Sequence, residues 1–182
     1  MDATWSVCVF CASSEEVEER DRSLARALGA GIAGRGWRLV YGGGDVGLMG
    51  EIARAVLDAG GPVTGVIPRK LVGRELALRD VDELIVTESM RERQRLMDER
   101  SDAFLVLPGG IGTLTELLEI ITLRALGYHD RPVVLVDPDG YWQPLRELLD
   151  TAIKRGMASP ACHELMCTVG SIDDALAAVE RR

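Results

Sequence analysis

The chain has 182 residues, 47% of them apolar, a size that suits one domain with a core large enough to fold unaided. With 21 basic against 29 acidic residues its net charge is −8, which argues against nucleic acid as the main partner and leaves room only for a local basic pocket. No apolar run reaches membrane-helix length, and MDATWSVCVFC lacks the basic start of a secretory leader, so a cytoplasmic protein without membrane contact is expected.

The first apolar run, 5–10, leads into Cys11-Ala12-Ser13-Ser14. Cys8 and Cys11 share the C-x2-C spacing of metal ligands, but a strand sends residues three apart to opposite faces. Buried, reduced thiols are therefore expected for these two, and no metal.

Further runs follow at 37–41, 63–67, 84–86, 103–107, 133–136 and 165–169, rich in β-branched residues or leucine and without clean polar alternation. That is the pattern of parallel strands covered on both faces. Helical stretches at 22–33, 48–59, 89–100, 113–126 and 142–154 alternate with them, and Ser171-Ile172-Asp173-Asp174 opens a last, capped helix. The alternation predicts α/β architecture: a doubly wound parallel sheet of about seven strands with helices on both faces. Without linker or repeat, 1–182 reads as a single domain.

In such sheets ligands sit beyond the carboxyl ends of the strands. Gly42, Gly44 and Gly47 match the dinucleotide pattern G-x-G-x-x-G. They follow the second strand instead of the first, and Pro68-Arg69-Lys70 stand after the third where an acid should hold a ribose. NAD is disfavoured, a 2′-phosphorylated form is left open, and a plain tight turn explains the glycines as well.

The second loop, in FLVLPGGIGTLTE, carries more. Gly109, Gly110 and Gly112 let the backbone approach a ligand, and Thr113 is placed to cap the next helix. Free amides at a helix start form an anion site, and without Gly-Lys-Ser/Thr the expected anion is a single phosphate, not a triphosphate. Glu116 follows within the first turn, where a carboxylate can stabilise positive charge at C1′ of a ribose. One helix earlier, in SMRERQRLMDER, Arg93 shares a face with Met90 and Met97, which suits it to forked recognition of a ligand more than to a solvated charge run.

Taken in order, VCVFCASS, LVYGGGDVGLMG, GVIPRKL, MRERQ, SDAFLVLPGGIGTLTE and LGYHDRPVVLVDPDGYW resemble the Lonely Guy (LOG) family. These are cytokinin riboside 5′-monophosphate phosphoribohydrolases, often mislabelled lysine decarboxylases. The resemblance implies a Rossmann-like homodimer without cofactor. It implies hydrolysis of a purine nucleoside 5′-monophosphate to free base and ribose 5-phosphate. It assigns catalysis to Arg93 and Glu116, phosphate binding to Gly109, Gly110, Gly112 and Thr113, and places Gly43, Gly44, Met49 and Ser14 at the nucleotide pocket. Three departures stand out: Gln94 where the family has lysine, Thr115 before Glu116 where it has glutamate, and Ala12 in the FCGSS turn. Lysine decarboxylation fits poorly, since only Lys70 and Lys154 could carry pyridoxal phosphate. The rival from another class is a carrier of a phosphorylated pterin, the molybdenum cofactor, on the same scaffold.

Overall fold

A computed structural model describes residues 4–74 and 76–180. Residues 1–3, part of the stretch read for a leader, lie outside them, as do 75 and 181–182.

The elements alternate as the apolar runs predict: β1 (Ser6–Phe10), α1 (Glu19–Gly34), β2 (Arg38–Tyr41), α2 (Gly47–Asp58), β3 (Val63–Pro68), β4 (Glu83–Thr87), α3 (Met90–Glu99), β5 (Ala103–Val106), α4 (Ile111–Ala125), β6 (Val133–Val136), α5 (Gln143–Lys154), β7 (Cys167–Val169) and α6 (Ile172–Glu180). Boundaries move by a residue or two, except that α1 begins three residues earlier than the pattern suggests. Leu165 of the last apolar run ends a 3-10 turn, Pro160–Leu165, which Ser159 caps by accepting from Ala161 N, so β7 starts at Cys167.

All seven strands are parallel, in the order β4-β3-β2-β1-β5-β6-β7. The chain builds outward from β1 to β4, then returns to lay β5 against the free side of β1. Chain order thus reverses at the β1–β5 seam, where loops from opposite directions leave a crevice. The Asp102 carboxylate closes the far end of that seam, accepting from Ser6 N at 2.8 Å.

Apolar clusters fill both faces. Val7, Val9 and Cys11 pack with α1, α2 and α6, whereas Cys8, Phe10, Phe104 and Val106 pack under α4 with Met97 of α3 and Trp142. Cys8 and Cys11 therefore lie on opposite faces, buried and unbridged, as strand alternation requires.

Candidate active site

At the carboxyl ends of the strands, across the seam, lies a cavity of about 220 Å³. Its walls come from the loop after β1 (Cys11, Ala12, Ser13, Ser14), from Gly42 and Met49, from Arg93, and from Gly110 through Thr113 with Glu116.

Its anion-binding wall is the start of α4. The first helical bond runs from Leu114 N to Gly110 O at 3.0 Å, so the amides of Ile111, Gly112 and Thr113 precede the ladder at the positive end of the helix dipole. A Cβ at Gly110 or Gly112 would meet nothing within 4 Å, which leaves the backbone open to an approaching ligand. Thr113 does not cap the helix as predicted. The N-cap is Gly110, without a side-chain cap bond, because α4 starts two residues earlier than the periodicity suggested. Thr113 is instead buried on the cavity wall, and Gly109 is the residue that makes room for it. A Cβ at Gly109 would lie 2.1 Å from Thr113 Oγ1. Gly109 thus shapes the wall from behind; its carbonyl accepts from Tyr141 Oη at 2.7 Å.

The catalytic candidates meet at the floor. Arg93 Nη1 donates to Glu116 Oε1 at 2.8 Å, and Arg93 Nε donates to the Val66 carbonyl of β3 at 3.0 Å. Both side chains are 8% exposed. Burial of the apolar α3 face against the sheet forces Arg93 inward with Met97, as the spacing predicted, while Met90 stays at the rim. A buried pair of this kind is weak evidence for stability, because desolvation of the two charges offsets much of their attraction. Burial, with the negative Glu116 beside it, pushes the Cys11 thiol well up from its ordinary value, while Arg93 opposes; Cys11 therefore lines the cavity as a neutral thiol.

Gly42 was legible only as part of a fingerprint, yet it admits the arginine. A Cβ there would sit 2.2 Å from Arg93 Nη2 and 2.7 Å from Met49 Sδ. Gly43 and Gly44, expected at the pocket, do not line it. Gly43 adopts φ +78° and crosses close over β3, where a Cβ would lie 2.9 Å from Ile67 Cβ, and Gly44 bridges to Ala77. Met49 and Ser14 do line the cavity, Ser14 also accepting from Glu16 N at 3.1 Å. Leu71 and Ile111 join the wall without a sequence signal.

Glu51 of α2 braces two of these loops. It accepts from Arg22 Nη1 at 3.1 Å and Arg26 Nη1 at 2.9 Å, while Arg22 Nη2 holds the Glu15 carbonyl at 2.7 Å and Arg54 pairs with Asp45. Burial pushes the Glu51 carboxyl up, but its arginine donors together outweigh that and hold it below the usual range.

Gln94 faces elsewhere. With Phe10, Asp98, Glu119, Ile120 and Leu123 it lines a second cavity of about 140 Å³ between α3 and α4, behind Glu116. Neither lysine lines the first cavity: Lys70 is exposed in the short turn after β3 and Lys154 is exposed at the end of α5. The site thus offers no amine for pyridoxal phosphate.

A family model described as possible lysine decarboxylase matches residues 49–179. A cytokinin riboside 5′-monophosphate phosphoribohydrolase of Mycobacterium tuberculosis is 51% identical over 96% of this chain and 92% of that protein. One from Mycobacterium marinum is 47% identical over the same shares, and one from Arabidopsis thaliana is 44% identical over 88% of this chain and 74% of its own. Among solved structures, the molybdenum cofactor carrier protein of Chlamydomonas reinhardtii superposes with a TM-score of 0.73 at 27% identity, covering 98% of each chain. With a cavity at the β1–β5 seam, the PGGxGTxxE loop on its wall and these relatives across nearly its whole length, the chain belongs to the Lonely Guy family.

Proposed function

We propose that the protein hydrolyses the N-glycosidic bond of purine nucleoside 5′-monophosphates, of the adenosine or N6-isoprenoid-adenosine type, to free base and ribose 5-phosphate. The observation that carries this is the Arg93–Glu116 pair set directly beside the open amides of α4.

The amides of residues 110–113 and the helix dipole hold the 5′-phosphate, and Gly109 and Thr113 shape their wall. Binding energy at the phosphate, remote from the bond that breaks, orients the ribose. Glu116 steadies positive charge at C1′ and positions the water whose oxygen bonds to that carbon. The electron pair of the C1′–N bond leaves with the base, which takes up a proton while the attacking water gives one up, so that one water is consumed overall. Arg93 holds the Glu116 carboxylate in place and offsets charge on the departing base. Met49, Ser14 and Gly42 border the rest of the nucleotide.

The carrier reading rests on a likeness of 27% identity, against 51% to a phosphoribohydrolase. Incubation of pure protein with AMP, an N6-isoprenoid AMP and the matching nucleosides, with chelator present, decides between them. Both nucleotides are expected to be cleaved, with nucleosides disfavoured more than about a hundredfold, the effect of losing a charged group from several amides. Equal cleavage of nucleosides overturns the phosphate-loop assignment; no cleavage of any purine nucleotide overturns the hydrolase and favours the carrier. No helix among the described residues is long and apolar enough to cross a membrane. A cytoplasmic homodimer is part of the proposal because the family resemblance implies it.

A further inference from the structure

Tyr141 lies in the turn before α5, outside the loops discussed for ligand binding, yet it reaches the phosphate loop across 32 residues of chain. The residue is 46% exposed but its ring is braced. It packs edge-on to Trp142, centroids 5.0 Å apart at 88°, and Trp142 is itself buried with its backbone amide bonded to the Asp137 carboxylate at 3.2 Å. The hydroxyl that donates to Gly109 O at 2.7 Å is therefore held in place from both ends.

That bond sets the direction of a peptide plane. The described peptides are trans, so a carbonyl and the amide that follows it point opposite ways. Turning Gly109 O to Tyr141 aims the Gly110 N–H the other way, and Gly110 lines the cavity. A Gly–Gly peptide can flip with little steric resistance, which would present a carbonyl to an anion instead of an amide. Its neighbours are secured as well: Pro108 O accepts from Ala12 N at 3.2 Å and Gly110 O from Leu114 N at 3.0 Å. Tyr141 is the side chain that completes this arrangement, with three successive carbonyls turned into the protein.

We propose that Tyr141 is a positioning residue for anion recognition: by holding Gly109 O, its hydroxyl keeps the Gly110 amide aimed at the 5′-phosphate. The proposal rests on the phosphate-loop reading above. Tyr141→Phe removes the hydroxyl and keeps the ring. Calorimetry of wild type and Tyr141→Phe with ribose 5-phosphate, inorganic phosphate and adenosine tests it. Dissociation constants for both anions are expected to rise about fivefold, the scale of one modest hydrogen bond, with adenosine affinity unchanged. The kcat for AMP should stay within about twofold while KM rises, because the lost contact acts equally in ground and transition states. Unchanged anion affinity overturns the proposal, and so does an equal loss for adenosine, which would mark Tyr141 as general packing. Wild type that binds phosphate without cleaving nucleotides overturns the hydrolase alone, whereas wild type that binds no anion overturns both.

Discussion

Arg93 Nη1 and Glu116 Oε1 lie 2.8 Å apart, joined from two helices and 23 residues of chain, with Arg93 tied in addition to a strand carbonyl. Neither group can turn away without leaving a buried charge poorly compensated, so the pair is set before substrate arrives. Preorganised charge of this kind is where an enzyme gains most.

Glu116→Gln should therefore remove nearly all hydrolysis, at least about a hundredfold in kcat, because the amide keeps shape but loses the charge proposed to face C1′. Nucleotide affinity should stay close to wild type, since the proposed binding mode sets the phosphate against the 110–113 amides and not Glu116. Turnover of AMP followed by chromatography, beside calorimetric binding, checks both halves; activity within about threefold of wild type would sink the assignment.

Gly42→Ala tests the space around Arg93. The new methyl would start 2.2 Å from Nη2, and the arginine, fixed at Val66 O, has nowhere to yield without loosening Glu116. A fall in kcat of about tenfold or more is expected from such a displacement, with a folded protein by circular dichroism. Unaltered kcat would show that Met49, the other neighbour, takes up the strain.

Substituting lysine at Gln94 looks from the family pattern like a route to tighter nucleotide binding. In the structure Gln94 faces Asp98 and Glu119 behind the catalytic pair. A lysine there would stand beside these two carboxylates and away from the first cavity. The KM for AMP should move by no more than about twofold, as exposed charge contacts rarely do more. A larger fall in KM would restore a direct role for a cation at 94.

The dimer reading can be tested on α4. Ile121 is buried in the core, but Ile111, Leu118, Leu126 and Tyr128 are exposed along the helix and its end. Light scattering should report about twice the 19.8 kDa chain mass, and Leu118→Glu with Leu126→Glu should reduce it to one chain. A wild-type monomer at micromolar concentration would contradict this.

His129 supplies a pH dependence. Burial against Phe104 and α4 lowers its pKa from the ordinary 6.5, with Nε2 3.0 Å from Ile120 O and Nδ1 buried without a hydrogen-bond partner among the described residues. The folded state then binds fewer protons than the unfolded one, so the stability tied to neutral His129 is present above 6.5 and lost as pH falls below it. The thermal midpoint should drop between pH 7 and 5.5, and His129→Gln should flatten that slope. A slope identical in the variant would remove His129 as its source.

Much of this was legible in sequence because burial on both faces leaves unmistakable apolar runs. Val133–Val136 was recovered to the residue, and Arg93 by its spacing to Met97. What was not legible depends on contacts distant in the chain. The side-by-side pairing of Val7 with Ala103 has no local signature, nor does the reach of Tyr141 to Gly109. The run Gly42-Gly43-Gly44 shows the limit most clearly. Three identical residues have three separate reasons, room for an arginine, a positive φ and a bridge, and only tertiary structure tells them apart.

The β1–β5 seam also sets a schedule. Ser6 and Asp102 close it across 96 residues, and parallel pairing at that separation is among the slower events a chain of this size undertakes. One bank of the crevice is made early in synthesis and the other only when the PGGIGT segment and Glu116 have emerged. Until then the newborn chain has an arginine with no carboxylate to meet it and half a cradle for an anion. Appearance of activity during refolding is therefore a clock for closure of this seam, and should trail the return of helical signal.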